Sequence, residues 1–226
     1  MPPHVHTFDN QEEVYVPLAG GGWLEIDGDR VAIDTGSAVR VGATAVRRPI
    51  TGPEGMRLLA IGCAPGAAYR PFDSSVAGAP EPAVEDLPGV KAAATAAAAP
   101  SHDFTAMRFS EMQTMSGFKG VSMTPLRREL GITAFGIGLI TIDPIEDAEY
   151  PHHDHTKDGQ EEVYIPISGD GEIELKGVGR IALAPGEMIR VAPSVKRQIH
   201  PGSRGIRVIA IGGTPDKAYE PPRRAT

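Results

Sequence analysis

The chain has a single cysteine in 226 residues, at position 63. That excludes an intrachain disulfide and a metal knuckle built on several thiolates, and Cys63 reads as a small core residue. Aromatic residues are scarce, at 5%. No apolar run approaches the roughly 20 residues that span a bilayer. The opening MPPHVHTF has neither the basic start nor the apolar stretch of a secretion signal, so a cytoplasmic location is expected. Positive charge is in deficit: 22 Lys and Arg against 29 Asp and Glu leave a net charge of −7. Such a surface repels phosphate backbones and anionic lipid, and no basic stripe is clustered. Nucleic acid and membranes are therefore not expected as partners. Also missing are a glycine-rich phosphate loop and a G-x-S-x-G elbow, which disfavours nucleophilic hydrolysis.

What the chain has in quantity is turn residues, 27 Gly and 21 Pro. They punctuate short segments that alternate with period two, such as EEVYIPI, GEIEL, MIRVA and IRVIAIG. Alternation of this kind is the mark of half-buried strands. Many short strands with regular turns predict an all-β sandwich or closed barrel, since closure removes exposed strand edges.

The pattern is also written twice. His4, His6, Glu13 and Gly20 recur as His153, His155, Glu162 and Gly169 at a constant offset, since 153 − 4 = 149. After one extra loop residue the offset is 150, and GSAVRVGATAVRRPITGPEGMRLLAIG from Gly36 matches GEMIRVAPSVKRQIHPGSRGIRVIAIG from Gly186. This is an internal duplication. Residues 74–101, rich in Ala and Pro, read as a linker with one short helix at VKAAATAAAA. The expected domains are thus 1–73, 74–101 as linker, and 102–222. The second copy is preceded by about fifty residues of strand-like sequence, whereas the first has almost nothing before its histidines. Either the first barrel lacks its opening strands, or another segment or subunit supplies them.

A His-x-His pair, a loop, a Glu and a Gly seven residues later resemble the first motif of the cupin superfamily. PGEMIRVAPSVKR and TGSAVRVGATAVRR resemble its second motif. Two copies resemble the tandem, or bicupin, type. The resemblance implies two jelly-roll barrels and a metal site in each, with His153, His155 and Glu162 in one and His4, His6 and Glu13 in the other. Strand geometry agrees, because residues two apart face the same way. Two imidazoles and a carboxylate suit a divalent transition metal: Fe, Mn, Ni, Cu or Zn.

Two features depart from the resemblance. Six residues separate His155 from Glu162, more than the three or four usual in cupins. The place of the usual third histidine holds Arg197 in one copy and Arg47 in the other. A guanidinium keeps its proton, and its expected partners are Glu162 and Glu13. Either it replaces the metal, leaving a metal-free His-His-Glu-Arg pocket, or it grips an anionic ligand while three residues still hold a metal. His200, three residues beyond Arg197, faces the other way.

Glu162 and Arg197 are the expected catalytic residues. Arg197, Arg47, Gln160 and Tyr164 are the expected substrate contacts. Glu12 and Glu161 are expected on the solvated face, with Arg40 and Arg190 in surface ion pairs. Tyr69 and Tyr219 are expected to pin the tails, and RRELG at Arg127 reads as a solvated loop, with an anion-binding stretch as the alternative. The function expected is a metal-dependent, dioxygenase- or isomerase-like reaction on a small anionic molecule, or metal-free binding or sensing of one. Unpaired strand edges of the first copy predict a homodimer.

Overall fold

The computed structural model of the chain describes residues 1–69, 85, 88–95, 102–148 and 150–221. Two compact units result, Met1–Glu111 and Met112–Thr226. Nearly all regular structure is strand, as the period-two alternation predicts.

In the first unit, β1 (Glu12–Ile26) is the spine. β4 (Arg47–Cys63) runs antiparallel along the length of β1. Its other side carries β2 (Asp29–Asp34) at one end and β3 (Ser37–Val41) at the other. The linker contributes α1 (Pro88–Thr95), and the rest of the expected 74–101 linker lies outside the described residues, Glu85 apart. Then β5 (Phe104–Arg108) adds to the free edge of β3, from Ser37↔Arg108 to Val41↔Phe104. The sequence had placed this segment at the start of the second barrel. Ion pairs dock it instead in the first: Arg108 grips Asp34, and Arg40 reaches Asp103 at 2.6 Å.

The second unit opens with β6 (Met115–Phe118), β7 (Val121–Thr124), the one-turn helix α2 (Leu126–Leu130) and β8 (Gly136–Ile142). It then repeats the first unit's plan. β9 (Glu161–Leu175) is the spine and β12 (Arg197–Gly213) its long partner, with β10 (Gly179–Leu183) and β11 (Ile189–Val191) on the other side. On the outer side of β12, Ile206–Gly212 pairs with β8, which is followed by β7 and β6. The equivalent stretch of β4, residues 56–62, carries no strand there among the described residues. This is the structural form of the asymmetry between the two copies.

The duplication's details have local causes. The offset changes at one hairpin: Ile26 pairs with Asp29 across a two-residue Asp27-Gly28 turn, while Leu175 pairs with Gly179 across three residues. Asp27 and Gly28 both have positive φ, the pair that a type I′ turn requires. The motif glycines, Gly20 and Gly169, have φ of 64° and 72°. A Cβ there would lie 2.1 Å from the Gly55 carbonyl oxygen and 2.0 Å from that of Gly205. Only glycine lets the two long strands of each unit approach so closely.

Each unit has its own core. Tyr15, Leu24, Ile26, Val39 and Val41 form one, and Ile140, Ile142, Tyr164, Ile173, Val191 and Val208 the other. Each such fully buried aliphatic contributes about 1.5–3 kcal/mol. No helix among the described residues is long and apolar enough to cross a membrane.

Candidate metal centre

In the second unit the site begins where the chain reaches β12. His153 makes an isolated antiparallel bridge with Arg197, through amide–carbonyl bonds of 3.2 and 2.9 Å, and the His155 amide donates to the Pro193 carbonyl at 2.8 Å. The long gap after His155 is absorbed by a tight loop, in which the Gly159 amide returns to the His155 carbonyl at 2.7 Å. Gly159 and its counterpart Asn10 take left-handed backbone there, at φ 71° and 56°. Glu162 follows at the start of β9, with Tyr164 two residues on and on the same face.

The functional atoms then converge. His153 Nε2 and His155 Nε2 lie 3.5 and 3.3 Å from Glu162 Oε2. The first unit repeats this with His4 at 3.5 Å and His6 at 3.4 Å from Glu13 Oε2. The Nδ1 atoms are all engaged. His153 Nδ1 donates to the Pro151 carbonyl at 3.1 Å and His155 Nδ1 to Asp158 at 3.0 Å. His4 and His6 donate likewise to Pro2 at 3.4 Å and Asp9 at 3.1 Å. These acceptors fix the Nδ1–H tautomer of each neutral ring, so every Nε2 lone pair faces the carboxylate.

Behind each carboxylate stand a tyrosine and an arginine. Tyr164 donates to Glu162 Oε2 at 2.5 Å, and Tyr15 to Glu13 Oε2 at 2.5 Å. Burial pushes both hydroxyl pKa values up, aided at Tyr164 by Tyr150 and then Glu162 and at Tyr15 by Glu13, so the phenols stay donors. Arg197 is 0% exposed and donates to Glu162 Oε2 through Nη2 at 2.8 Å and Nε at 3.2 Å, with Nη1 on the Val195 carbonyl at 2.9 Å. Arg47 is as deeply buried but less well met. Its Nη2 donates to Gly42, while Nε, 3.3 Å from Glu13 Oε2, and Nη1 make no hydrogen bond among the described residues.

Charge follows from these contacts. Burial raises the Glu162 pKa, but its contacts with the two imidazoles and the hydrogen bond from Tyr164 outweigh it and hold the group well below the carboxylate range. The bond to Glu162 raises the pKa of His155, and Asp158 adds to this. Protonation of His155 at Nε2 would therefore place an N–H in the space between the ring and Glu162.

That space also fits an ion. Ligand atoms about 2.0–2.1 Å from one metal lie roughly 3.0–3.4 Å apart, close to the 3.3–3.5 Å separations found here. In both triads the candidate ligand atoms lie within 4.8 Å of one another. The donor set of two neutral imidazoles and a carboxylate suits a divalent transition metal.

A cavity of about 570 Å³ opens over the second triad, with His153, His155, Gln160 and Glu162 on its floor and residues of β6, β7 and β8 as walls. A larger depression of about 850 Å³, lined by His152, Lys196 and the Glu174–Arg180 hairpin, touches none of the triad. Arg197 and Tyr164 are not among the cavity's lining residues, although the sequence reading made them substrate contacts. Tyr164 donates to the Glu162 carboxylate, and Arg197 spends its donors on that carboxylate, the Tyr164 hydroxyl and the Val195 carbonyl. Arg47 is likewise turned to Glu13 and the backbone. Gln160 lines the cavity and also braces Asp158, with its amide N–H on Asp158 Oδ1 at 3.1 Å.

Other residues sort clearly. Glu12 is not solvated as expected; it is 1% exposed and bonded to Arg40 at 2.8 Å. Glu161 pairs with Arg190, Nε to Oε2 at 2.7 Å. His200 turns away to Glu174 at 3.1 Å. The sequence reading missed Asp9 and Asp158, which orient the second histidine of each copy. Their signal was present, an aspartate repeated three residues after that histidine. Tyr150 was missed too: it packs edge-on against His153 and has only Met1 as its counterpart.

No family profile and no curated protein sequence matches the chain. Solved structures do. A cupin 2 conserved barrel domain protein from Leptotrichia buccalis superposes with a TM-score of 0.55 at 11% identity, over 92% of this chain and 76% of that one. The fold is that of the cupins. A putative glyoxylate-induced protein from Pseudomonas aeruginosa gives 0.59 at 15% identity, over 96% and 68%. Lactobacillus farciminis oxalate decarboxylase, solved as a formate complex, gives 0.58 at 11%, over 96% and 74%. Within this cupin fold, both copies keep two histidines and a glutamate and put an arginine against the glutamate.

Proposed function

We propose that the second unit binds a divalent transition metal through His153, His155 and Glu162 and uses it on a small anionic organic molecule entering the cavity above. One observation carries this reading: both Nδ1 atoms are engaged, so both Nε2 lone pairs converge on an ionised carboxylate, and such a cluster of acceptors calls for a cation. The metal would supply Lewis-acid polarisation or oxygen activation. Around it, Asp158 and the Pro151 carbonyl hold the imidazoles in register, and Tyr164 and Arg197 hold the Glu162 carboxylate. Arg197 is thus a positioning residue. Oxalate decarboxylases are among the structural neighbours, in keeping with a carboxylate substrate. The first unit, with the same triad, is proposed as a second metal site.

A second reading rests on Arg197. Its guanidinium already sits 2.8 Å from Glu162 Oε2, so a protein cation and a protonated His155 can fill the metal's place in a metal-free binding site. Metal content by mass spectrometry on the full-length, untagged protein separates the two. About one or more equivalents of a transition metal, reduced in His155→Ala, supports the first reading. Metal absent from the native protein but bound by Arg197→His sinks it in favour of the second. A cytoplasmic location belongs to the same proposal. So does a homodimer formed through the open 56–62 edge of β4; a monodisperse monomer in light scattering would refute that part.

A further inference from the structure

Where the cavity leaves the triad, its character changes. Its walls are Met115, Phe118, Val121, Met123, Ile137 and Ile140. Three of these are large apolar side chains left open on the β6–β7 hairpin: Phe118 at 52% exposure, Met115 and Met123 at 40%. Exposed apolar clusters of this kind mark ligand-binding surfaces. One cation lies among them. Arg127 stands on α2, whose Leu126 and Leu130 are buried and whose end is fixed by Gly131 in left-handed backbone. That anchoring leaves the half-buried Arg127 side chain on the cavity wall.

Arg127 differs from the other arginines of this region. Arg128 pairs with Glu129 at 2.9 Å, Arg190 with Glu161 and Arg197 with Glu162. Arg127 has no carboxylate partner among the described residues. Its contacts are one long bond from Nη1 to the Ile132 carbonyl, 3.4 Å, and the face of Tyr219 at 5.9 Å. Tyr219 also lines the cavity, and its hydroxyl has no hydrogen-bond partner among the described residues. Burial raises that hydroxyl's pKa and Arg127 opposes the rise, so the group remains a donor. A guanidinium fork and a phenol thus stand at the apolar wall of the cavity, with no carboxylate bonded to either among the described residues. Arg127 stands on a helix and not in the solvated loop that the sequence favours, and its anion-binding alternative is the one this placement suits.

Resting on the reading of this cavity as the substrate site, we propose that it takes monocarboxylates with an apolar body, aromatic or medium-chain. Arg127 and Tyr219 bind the carboxylate, and the β6–β8 wall covers the body. A guanidinium matches a carboxylate bidentately. A single unpaired cation suits one negative charge better than a dianion. The volume of about 570 Å³ falls within the roughly 300–1,000 Å³ of small-molecule sites, too large for a two-carbon acid to fill. The first unit lacks counterparts of β6, β7 and α2 among the described residues, so this selectivity belongs to the second unit.

The test is calorimetric titration of the full-length protein, its metal content measured in each sample. The probes are 3-phenylpropionate, octanoate, 3-phenylpropanamide and oxalate; the variants are Arg127→Gln, Arg127→Lys and Arg128→Gln. Circular dichroism checks that each variant is folded, and Arg127→Lys keeps the charge should Arg127→Gln fail to fold. At least one apolar acid should bind more tightly than about 10 mM, weaken roughly tenfold or more in Arg127→Gln, and lose less in Arg127→Lys. Arg128→Gln should change nothing, and the amide should bind more weakly than the acid and not respond to Arg127. The proposal is overturned if neither apolar acid binds, if the acids bind Arg127→Gln as well as wild type, or if oxalate binds tightest. Absence of metal together with Arg127-dependent binding would remove the metal reading and leave this one standing.

Discussion

Removing one partner of the Glu162–Arg197 pair should cost far more than removing both. The guanidinium is fully buried and the Glu162 side chain only 16% exposed, with Nη2 and Oε2 2.8 Å apart. Glu162→Gln leaves Arg197 buried against a neutral amide, two imidazoles and a phenol, and Arg197→Met leaves the carboxylate with Tyr164 and a protonated His155. Breaking a buried pair from one side typically costs about 3–5 kcal/mol, whereas replacing both partners by groups of similar shape is often close to neutral. The coupling between the two sites should therefore reach at least the roughly 2–3 kcal/mol that marks the upper end for residues in direct contact. The first unit supplies an internal control. Its Arg47 approaches Glu13 only through Nε at 3.3 Å, and neither Nε nor Nη1 makes a hydrogen bond among the described residues, so the Glu13–Arg47 coupling should be smaller, about 1 kcal/mol. The assay is urea unfolding of both single variants and the double variant for each pair, in EDTA so that metal binding does not contribute. Additive losses at Glu162 and Arg197, or equal coupling in the two units, would refute the reasoning.

Four further predictions rest on the same structure. In the metal-free protein the pKa of His155 is raised above 6.5, so its contribution to stability is complete below that value and is lost as pH rises through the folded-state pKa. Glu13 and Glu162 are depressed below 4.5, so theirs is present above 4.5 and is lost as pH falls toward the folded-state values. Urea midpoints in EDTA should therefore be highest between those two limits, and a flat profile from acid to alkaline pH would contradict this. Metal binding must displace the His155 proton, so apparent affinity should fall about tenfold per pH unit below the raised pKa, with proton release detectable in weakly buffered solution. Asp158→Asn should weaken metal binding about 10- to 100-fold in a chelator competition while hardly changing the unfolding midpoint, because Asp158 orients His155 without touching the metal. Gly169→Ala should destabilise the second unit by more than about 1 kcal/mol, since it forces a Cβ against the Gly205 carbonyl at positive φ, and an unchanged melting temperature would show that the strands can part without cost.

The sequence by itself determined the parts of this protein that obey local rules. Period-two alternation marked the strands, and the duplicated His-x-His, Glu and Gly marked a triad and a strand bend, because strand parity and backbone strain act within a few residues. The arginine against each glutamate was also legible, since a buried guanidinium has to find a carboxylate and only one stood on that face. Tertiary structure decided what depends on distant segments meeting. Nothing local to Phe104–Arg108 says that it will pair with β3, nor that Glu12 will be sealed under Arg40. Nor could spacing show that Arg197 would be consumed by Glu162 while Arg127, some seventy positions earlier, remained without a counter-ion beside the same cavity. Pairing edges and ion partners are chosen by the packed whole, where each charge takes the nearest opposite charge that folding brings within reach.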